Sequence, residues 1–184
     1  MLEPFLENLK KHGLKNDIPN ISRENAEFLR EIIRRKEVKN LLEIGTANGF
    51  SSINFAFEMR KNSGRITTID FSEKSYNEAK QNFTDAWVSG MITPLFGNAL
   101  DILPTLSGPY DFIFIDGMKR RTKDFLELTY DKVESWGTIV IDDVIKFKDK
   151  MVWLYEYLEE QNIKYDLLQI DIDDGIIVIE KDKD

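Results

Sequence analysis

The chain contains no cysteine and only one histidine among its 184 residues. The lack of cysteine excludes disulfides, thiolate zinc sites and a cysteine nucleophile, and a single histidine excludes a histidine-rich metal cluster. That histidine, His12, is followed by a glycine, and we expect it to be an exposed residue near a helix end with no functional role. Any chemistry must therefore come from aspartate, glutamate, lysine, serine or tyrosine side chains.

Long apolar runs are absent as well, and basic residues are outnumbered by acidic ones. No run approaches the ~20 apolar residues of a membrane span, and residues 1–7 have neither the basic nor the apolar region of a signal peptide. We therefore expect a cytoplasmic protein without membrane contacts. The formal net charge of -8 disfavours broad nucleic-acid binding, although a local basic patch could still contact RNA.

The most informative stretch is residues 40–52, which begin as an apolar strand and then pass through two glycines into a helix that starts near Ser51. Such a loop offers free backbone N–H groups and a helix N-terminus to a small ligand. The spacing of Gly45 and Gly49 does not match the dinucleotide pattern G-x-G-x-x-G. We expect Glu43, two residues before the first glycine, to point into the same crevice, repel a pyrophosphate and favour an ammonium or sulfonium group.

Strand-like and helix-like segments alternate along the rest of the chain. The predicted strands are residues 40–44, 65–70, 91–97, 110–116, 137–143, 165–172 and 175–180. The alternation predicts an α/β fold, a Rossmann-like doubly wound, mostly parallel seven-stranded sheet. Pro94 indicates an edge strand, and Asp173, Asp174 and Gly175 predict the turn of a C-terminal antiparallel hairpin.

The length suits one domain over residues 1–184, with an N-terminal helical arm at 1–20 that covers part of a Rossmann-like core at 21–184. Ser22 is expected to cap the first core helix. A helix between the fourth and fifth strands is expected to include Tyr130 and Val133, and the last helix carries a second apolar pair, Trp153 and Tyr157. Either a flanking loop covers that pair or a second copy of the chain does, as a homodimer.

Acidic residues end most of the predicted strands; they are Glu43, Asp70, Asp116, Asp142 and Asp143. Because the carboxyl ends of parallel strands meet at one edge of a sheet, these side chains concentrate negative charge, which is unfavourable without a cation. A sulfonium cofactor and a hard divalent ion such as Mg²⁺ would both satisfy this edge. Asp70 lies 21 positions beyond Gly49, where an acidic residue can bind ribose hydroxyls; the alternative is that it caps the following helix.

Residues 42–51, 114–119 and 141–144 together resemble the divalent-metal-dependent O-methyltransferases, a group of class I S-adenosylmethionine-dependent methyltransferases that includes the catechol and caffeoyl-CoA enzymes. The resemblance covers about residues 19–181. It implies a cofactor-binding set of Glu43, Gly45, Thr46, Ala47, Gly49, Ser51, Asp70, Phe71, Asn98, Ala99 and Asp116. In this set the turn after the first strand holds the methionine end, with Ser51 on its carboxylate, Asp70 takes the ribose, and Asn98 and Ala99 lie against the adenine.

The same resemblance implies that Asp116, Asp142 and Asp143 hold the metal. It also implies a catalytic pair of Asp116 and Lys119, in which Lys119 accepts the proton of the acceptor hydroxyl if burial and a nearby cation depress its pKa. Asp143 stands where the family usually has asparagine, and this extra charge could change the preferred metal.

Three functions are compatible with these residues. The first is S-adenosylmethionine-dependent O-methylation of a small, catechol-like acceptor. The second is O-methylation of a hydroxylated tRNA base, for which a basic rim is available from Lys119, Arg120, Arg121, Lys123, Lys146, Lys148 and Lys150. The third is a cofactor-binding module without catalysis, in which Asp143 marks a lost active site.

Overall fold

The computed structural model describes residues 2–172 and 174–182. Its helices are α1 (Leu2–Lys15), α2 (Arg23–Arg35), α3 (Phe50–Met59), α4 (Glu73–Asp85), α5 (Ala99–Ile102), α6 (Thr122–Thr129) and α7 (Val152–Glu160). Its strands are β1 (Asn40–Ile44), β2 (Arg65–Asp70), β3 (Ile92–Phe96), β4 (Tyr110–Ile115), β5 (Val133–Ile141), β6 (Asp166–Leu168) and β7 (Ile176–Glu180).

All seven of these strands belong to one sheet, in the order β3-β2-β1-β4-β5-β7-β6. The first five run parallel to one another, and β7 is antiparallel to both β5 and β6. The predicted fold class is therefore confirmed. Pro94 lies in β3, at one edge of the sheet, as its missing N–H requires.

Alternate residues of each buried strand pack on opposite faces of the sheet, which produces two hydrophobic layers. In β1, Leu41 packs with the side chains of α1 to α4, whereas Leu42 packs with those of α5 to α7. Both leucines are fully buried, so β1 carries apolar side chains on both faces of the sheet. The sheet is thus covered on both faces, and its carboxyl edge is the place where loops converge.

The N-terminal arm is part of the first layer rather than a loose extension. Leu6 and Leu9 of α1 are buried against α2 and α3, and the helix continues through Gly13 to Lys15. His12 is exposed, as expected, and its Nε2 lies 3.2 Å from Glu78 Oε1 of α4. Ser22 accepts a hydrogen bond from the N–H of Asn25, which confirms the predicted cap of α2.

Two boundaries differ from the sequence prediction. Val133 is the first residue of β5 rather than part of the preceding helix, and Tyr130 begins a 3-10 turn after α6. The hairpin is also shorter than predicted, because β6 spans only Asp166–Leu168 and residues 169–172 leave the sheet. The predicted turn includes Asp173, which lies outside the described residues.

The pair Trp153 and Tyr157 is not covered by a flanking loop, because the Trp153 side chain is 70% exposed. Tyr157 contacts a cation instead: Lys123 Nζ lies 5.2 Å from its ring centroid. In the part of the chain that the structure describes, none of the helices is both long and apolar enough to span a bilayer.

Candidate active site

A cavity of about 430 Å³ lies at the carboxyl edge of the sheet. Of the predicted site residues, those that line it are Gly45, Ala47, Asp70, Phe71, Asn98, Ala99, Asp116, Lys119 and Asp143. They follow five neighbouring strands, so the strand order also orders them across the edge. Asn98 follows β3, Phe71 follows β2, Gly45 follows β1, Asp116 follows β4 and Asp143 lies just beyond β5.

Five predicted site residues do not line this cavity: Glu43, Thr46, Gly49, Ser51 and Asp142. All five are buried, four of them in or beside the loop that follows β1 and Asp142 just after β5. Their contacts hold that loop and the acidic side chains in place. The resemblance implies that these residues contact the ligands, and this contact stays a prediction, since in this structure they lie outside the cavity lining.

Gly45 permits the close approach of two loops at the centre of the site. It has a φ of +103°, and a Cβ built on it would lie 2.5 Å from the backbone oxygen of Asp116. The backbone N–H of Asp116 also donates to the carbonyl of Ile44 over 2.9 Å. The loop after β1 therefore lies directly against the loop after β4, which no other residue type at position 45 would allow.

Gly45→Ala is expected to lower the free energy of unfolding by about 3 kcal/mol, because the methyl group meets backbone and the positive φ becomes strained. Urea denaturation followed by circular dichroism measures this loss. Gly90→Ala is the matched control, since a Cβ at Gly90 meets nothing within 4 Å. Equal stability of the two variants would contradict the close approach.

Asp70 connects the loop after β1 to the end of β2. Its Oδ2 accepts the N–H groups of Thr46 and Ala47 at 3.1 and 2.8 Å, and its Oδ1 accepts the N–H of Ser72 at 2.8 Å. The alternative that Asp70 caps α4 is wrong, because the cap is Ser72, whose Oγ accepts the N–H of Ser75. Asp70 is half-buried and lines the cavity, so it both fixes the loop and faces the cavity.

Glu43 was expected from the sequence to point into the crevice, but it does not line the cavity. Its side chain is fully buried and accepts hydrogen bonds from the hydroxyls of Ser51 at 2.5 Å, Thr68 at 2.5 Å and Ser52. Burial raises the pKa of Glu43 to about 7, against the lowering effect of the three hydroxyls. Glu43 thus joins β1, β2 and the first turn of α3, and Ser51 is engaged in this contact.

Lys119 lies between two of the predicted catalytic and metal-binding carboxylates. Its Nζ is 2.6 Å from Asp116 Oδ1 and 2.6 Å from Asp143 Oδ2, and all three side chains are mostly buried. Burial lowers the pKa of Lys119, but the charges of Asp116 and Asp143 outweigh burial and raise it above its usual value. This direction is opposite to the one that a lysine base requires, so Lys119 is a cation here.

Asp142 has a different partner, Asn25. Its Oδ1 accepts a hydrogen bond from Nδ2 of Asn25, a buried residue of α2, over 3.1 Å. Burial and then the charges of Asp116 and Asp143 raise the pKa of Asp142 well above its usual range. Sequence reasoning missed Asn25, because nothing in the pattern of α2 distinguishes it from an ordinary polar helix residue.

We call Asp116, Asp142 and Asp143 the acid cluster. Three carboxylates are suitable donors for a hard divalent ion. In residues 2–172 and 174–182, however, no three acidic or histidine side chains converge in a way that could hold a metal ion. Two members of the acid cluster are paired with Lys119 and the third with Asn25. As arranged, these residues do not fit a metal site, and we derive no chemical step through one.

Residues 16–19, the connector between α1 and α2, line the cavity as well and were missed by sequence reasoning. The N–H of Ile18 donates to the carbonyl of Gly13, and Asn16 Nδ2 donates to the carbonyl of His12. The arm was expected to cover part of the core, and the structure shows that this connector forms one wall of the cavity. Its polar sequence alone gives no sign of which cavity it lines.

The sequence model of the O-methyltransferase family matches residues 2–181 of the chain. A catechol O-methyltransferase of Mycobacterium tuberculosis is 32% identical over 127 residues, which are 68% of this chain and 57% of that protein. A catechol O-methyltransferase of Niastella koreensis is 32% identical over 131 residues, which are 69% of this chain and 59% of that protein. The chain thus spans less than two thirds of the length of these relatives.

Solved structures agree on the fold. The O-methyltransferase of Bacillus cereus in complex with S-adenosylhomocysteine superposes with a TM-score of 0.84 at 25% identity, over 97% of this chain and 91% of that chain. The O-methyltransferase TomG of Streptomyces achromogenes, in complex with S-adenosylmethionine, gives a TM-score of 0.86 at 22% identity, over 96% and 89%, which concerns the fold alone. Since the family match extends over almost all of the chain that carries this fold, the chain belongs to the O-methyltransferase family.

Proposed function

We propose that this protein is an S-adenosylmethionine-dependent O-methyltransferase that transfers a methyl group to a hydroxyl of a small, catechol-like acceptor. The observation that carries the proposal is that the loop after β1, Asp70 and Lys119 all line the same cavity. Membership of the O-methyltransferase family and the catechol O-methyltransferases among the relatives support the reaction and the acceptor class.

The order of residues across the sheet edge fits the shape of the cofactor. Neighbouring strands are about 4.8 Å apart, so the five strand ends from β3 to β5 span about 19 Å. We assign the adenine to Asn98, Ala99 and the exposed ring of Phe71, and the ribose to Asp70. The methionine part then lies over Gly45 and Ala47, and its sulfur comes near Asp116, at the border between the cofactor and the acceptor.

The close approach at Gly45 supports this placement. Because a side chain at position 45 would collide with the backbone of Asp116, the glycine lets the loops after β1 and β4 meet where the methionine part is assigned. Asp70 and Asp116 bring negative charge to the same region, which favours a positively charged ligand. When bound, S-adenosylmethionine supplies a methyl group on a positively charged sulfur.

The chain has two tasks in methyl transfer, to align the acceptor oxygen and to favour its ionised form. Alignment follows from holding both partners in one cavity, so that the oxygen approaches the methyl carbon on the side opposite the sulfur. As the C–O bond forms, the electron pair of the C–S bond stays on sulfur, and the hydroxyl proton passes to water. These changes need no covalent intermediate on the protein.

We assign the second task to the ammonium group of Lys119. Asp116 and Asp143 hold it protonated at the wall of the cavity, where it favours the negative charge that develops on the acceptor oxygen. This role replaces that of a proton-accepting lysine, which a raised pKa does not support. Asp116 then acts through Lys119, whose position it fixes.

Magnesium stays a prediction from the sequence. The three carboxylates of the acid cluster support it by their chemistry, and their present arrangement around Lys119 and Asn25 opposes it. The cytoplasmic location, the homodimer and the tRNA alternative likewise stay predictions. A tRNA substrate would make activity fall steeply with salt, because phosphate contacts release counterions.

Methyl transfer from labelled S-adenosylmethionine to a panel of acceptors tests the proposed function. Catechols are expected to be labelled, and anisole-type ethers that lack a free hydroxyl are not. Lys119→Met is expected to lower kcat by about 100-fold, as for the loss of one preorganised charge-stabilising group, with the dissociation constant of S-adenosylhomocysteine changed by less than about threefold.

Lys123→Met is the matched control, since Lys123 pairs with Glu127 on α6 and does not line the cavity. An unchanged kcat in Lys119→Met would show that Lys119 has no role in methyl transfer. Binding of S-adenosylhomocysteine without transfer to any hydroxylated acceptor or to tRNA would favour the non-catalytic module.

A further inference from the structure

The acid cluster already contains a cation, and that cation is part of the chain. The ammonium of Lys119 makes equally short contacts with Asp116 and Asp143, at 2.6 Å each. These two carboxylates come from the ends of neighbouring parallel strands, β4 and β5. The ammonium therefore bridges the two strand ends, at the position where a bridging ion would also gain most from both charges.

The third carboxylate cannot complete a metal site while it keeps its present partner. Asp142 is 4% exposed and is hydrogen-bonded to Asn25 of α2, which is itself buried. A metal ion at this place would have to draw Asp142 away from Asn25 and displace Lys119 from both of its partners. It would also bring two further positive charges next to an ammonium that is itself mostly buried, since the Lys119 side chain is only 17% exposed.

Asp143 is the residue that makes this arrangement specific to the chain. As an aspartate it gives Lys119 a second full negative charge, whereas an asparagine of the same shape would offer only a neutral oxygen. Asp143 also has a φ of +62°, a backbone conformation that aspartate tolerates better than most residues. The loop after β5 thus holds this carboxylate towards the cavity and towards Lys119.

We propose that Lys119 is the resident cation of the acid cluster, and that this chain consequently binds divalent metal ions weakly and carries out its reaction without one. The inference deepens the proposed function, because it rests on that function for what the cation does during methyl transfer. The weak metal affinity does not depend on catalysis and can be measured separately.

Binding of Mn²⁺, followed by electron paramagnetic resonance of the free ion, tests the proposal on the full-length chain at about 0.15 M salt, where diffuse attraction to the acidic surface is screened. The wild-type protein is expected to bind Mn²⁺ with a dissociation constant of about 1 mM or weaker, the range of poorly formed carboxylate sites. Lys119→Met, which frees two carboxylates, is expected to bind at least about tenfold more tightly.

Two further variants keep the test decisive. Lys123→Met removes one positive charge outside the cluster and is expected to bind Mn²⁺ like the wild type. The double variant Lys119→Met/Asp143→Asn keeps the net charge of the cluster unchanged, and is expected to bind at least about tenfold more tightly than the wild type even if Lys119→Met does not fold.

Tight binding by the wild type, with a dissociation constant below about 0.1 mM, would overturn the proposal, and so would equal affinities of the wild type and the variants that lack Lys119. Methyl transfer that persists in excess chelator supports the second half of the proposal, and its abolition by chelator overturns that half. If Mn²⁺ binds as expected and no acceptor is methylated, the proposed function fails while the assignment of the cation stands.

Discussion

Replacing Asp70 by alanine is expected to weaken the binding of S-adenosylhomocysteine by about 100-fold, which corresponds to about 2.7 kcal/mol. The carboxylate accepts three backbone N–H groups, from Thr46, Ala47 and Ser72. Its loss leaves the loop after β1 without its contact to β2 and removes the group to which we assign the ribose. Isothermal titration calorimetry with S-adenosylhomocysteine measures the change.

Asp101→Ala is the matched control for this experiment. Asp101 lies on α5 at the same edge of the sheet, but it is exposed and does not line the cavity. Its replacement removes the same charge and is expected to leave the affinity unchanged. An Asp70→Ala variant that is folded and binds within about fivefold of the wild type would show that neither the loop nor the ribose depends on this carboxylate.

Glu43 is expected to make the stability of the protein fall as the pH rises from about 4.5 to about 7. Burial raises the pKa of Glu43 from 4.5 to about 7 in the native state. In that window the native protein holds a proton that the unfolded chain has released, so the free energy of unfolding decreases with pH. The full effect of such a shift is about 3 kcal/mol.

Urea denaturation isolates this effect when the wild type and Glu43→Gln are compared between about pH 4 and about pH 8. Glutamine keeps the shape of the side chain but does not titrate, so the stability difference between the two proteins is expected to change by about 3 kcal/mol across the window. Glu27→Gln, at an exposed position of α2, controls for the loss of one carboxylate. A difference that stays constant with pH would mean that the pKa of Glu43 is the same in the native and the unfolded protein, because the three hydroxyls offset the effect of burial.

Strand ends and caps could be predicted from sequence because they depend on local chemistry. Three features each favour one position in the fold: the apolar run of β1, the proline of β3 and the serine before α2. The acidic residues were also predicted to meet at one edge, since parallel strands bring their carboxyl ends together. Nine of the predicted site residues accordingly line one cavity.

The start of β5 could not be predicted because Gly137 reads as a turn. In the structure the strand continues from Val133 through this glycine, with Trp136 at a φ of +68°. A Cβ at Gly137 would lie 2.6 Å from a side-chain carbon of Val133 and 3.0 Å from the backbone oxygen of Asp111. The glycine therefore serves close packing within the sheet, which a sequence pattern does not distinguish from a turn.

The direction in which the pKa of Lys119 shifts could not be predicted from the sequence, for a different reason. Spacing placed Asp116 three residues before it, but the second partner, Asp143, comes from a strand that is remote in the sequence. Whether such a lysine gains or loses its proton depends on two distances of 2.6 Å, set by tertiary structure. The same is true of Asn25, which reaches Asp142 from a helix 117 positions away.

The residues that line the cavity are far apart in the sequence and are therefore synthesised at different times. Residues 16–19 line it, and so does Asp143, which is made much later in the chain. The cavity is incomplete until β4 has paired with β1 and β5 with β4, because Asp116 and Asp143 follow these two strands. A nascent chain therefore completes its ligand cavity late, and fragments that end before β5 are expected to bind the cofactor more weakly than the whole chain, even where their own helices and strands have formed.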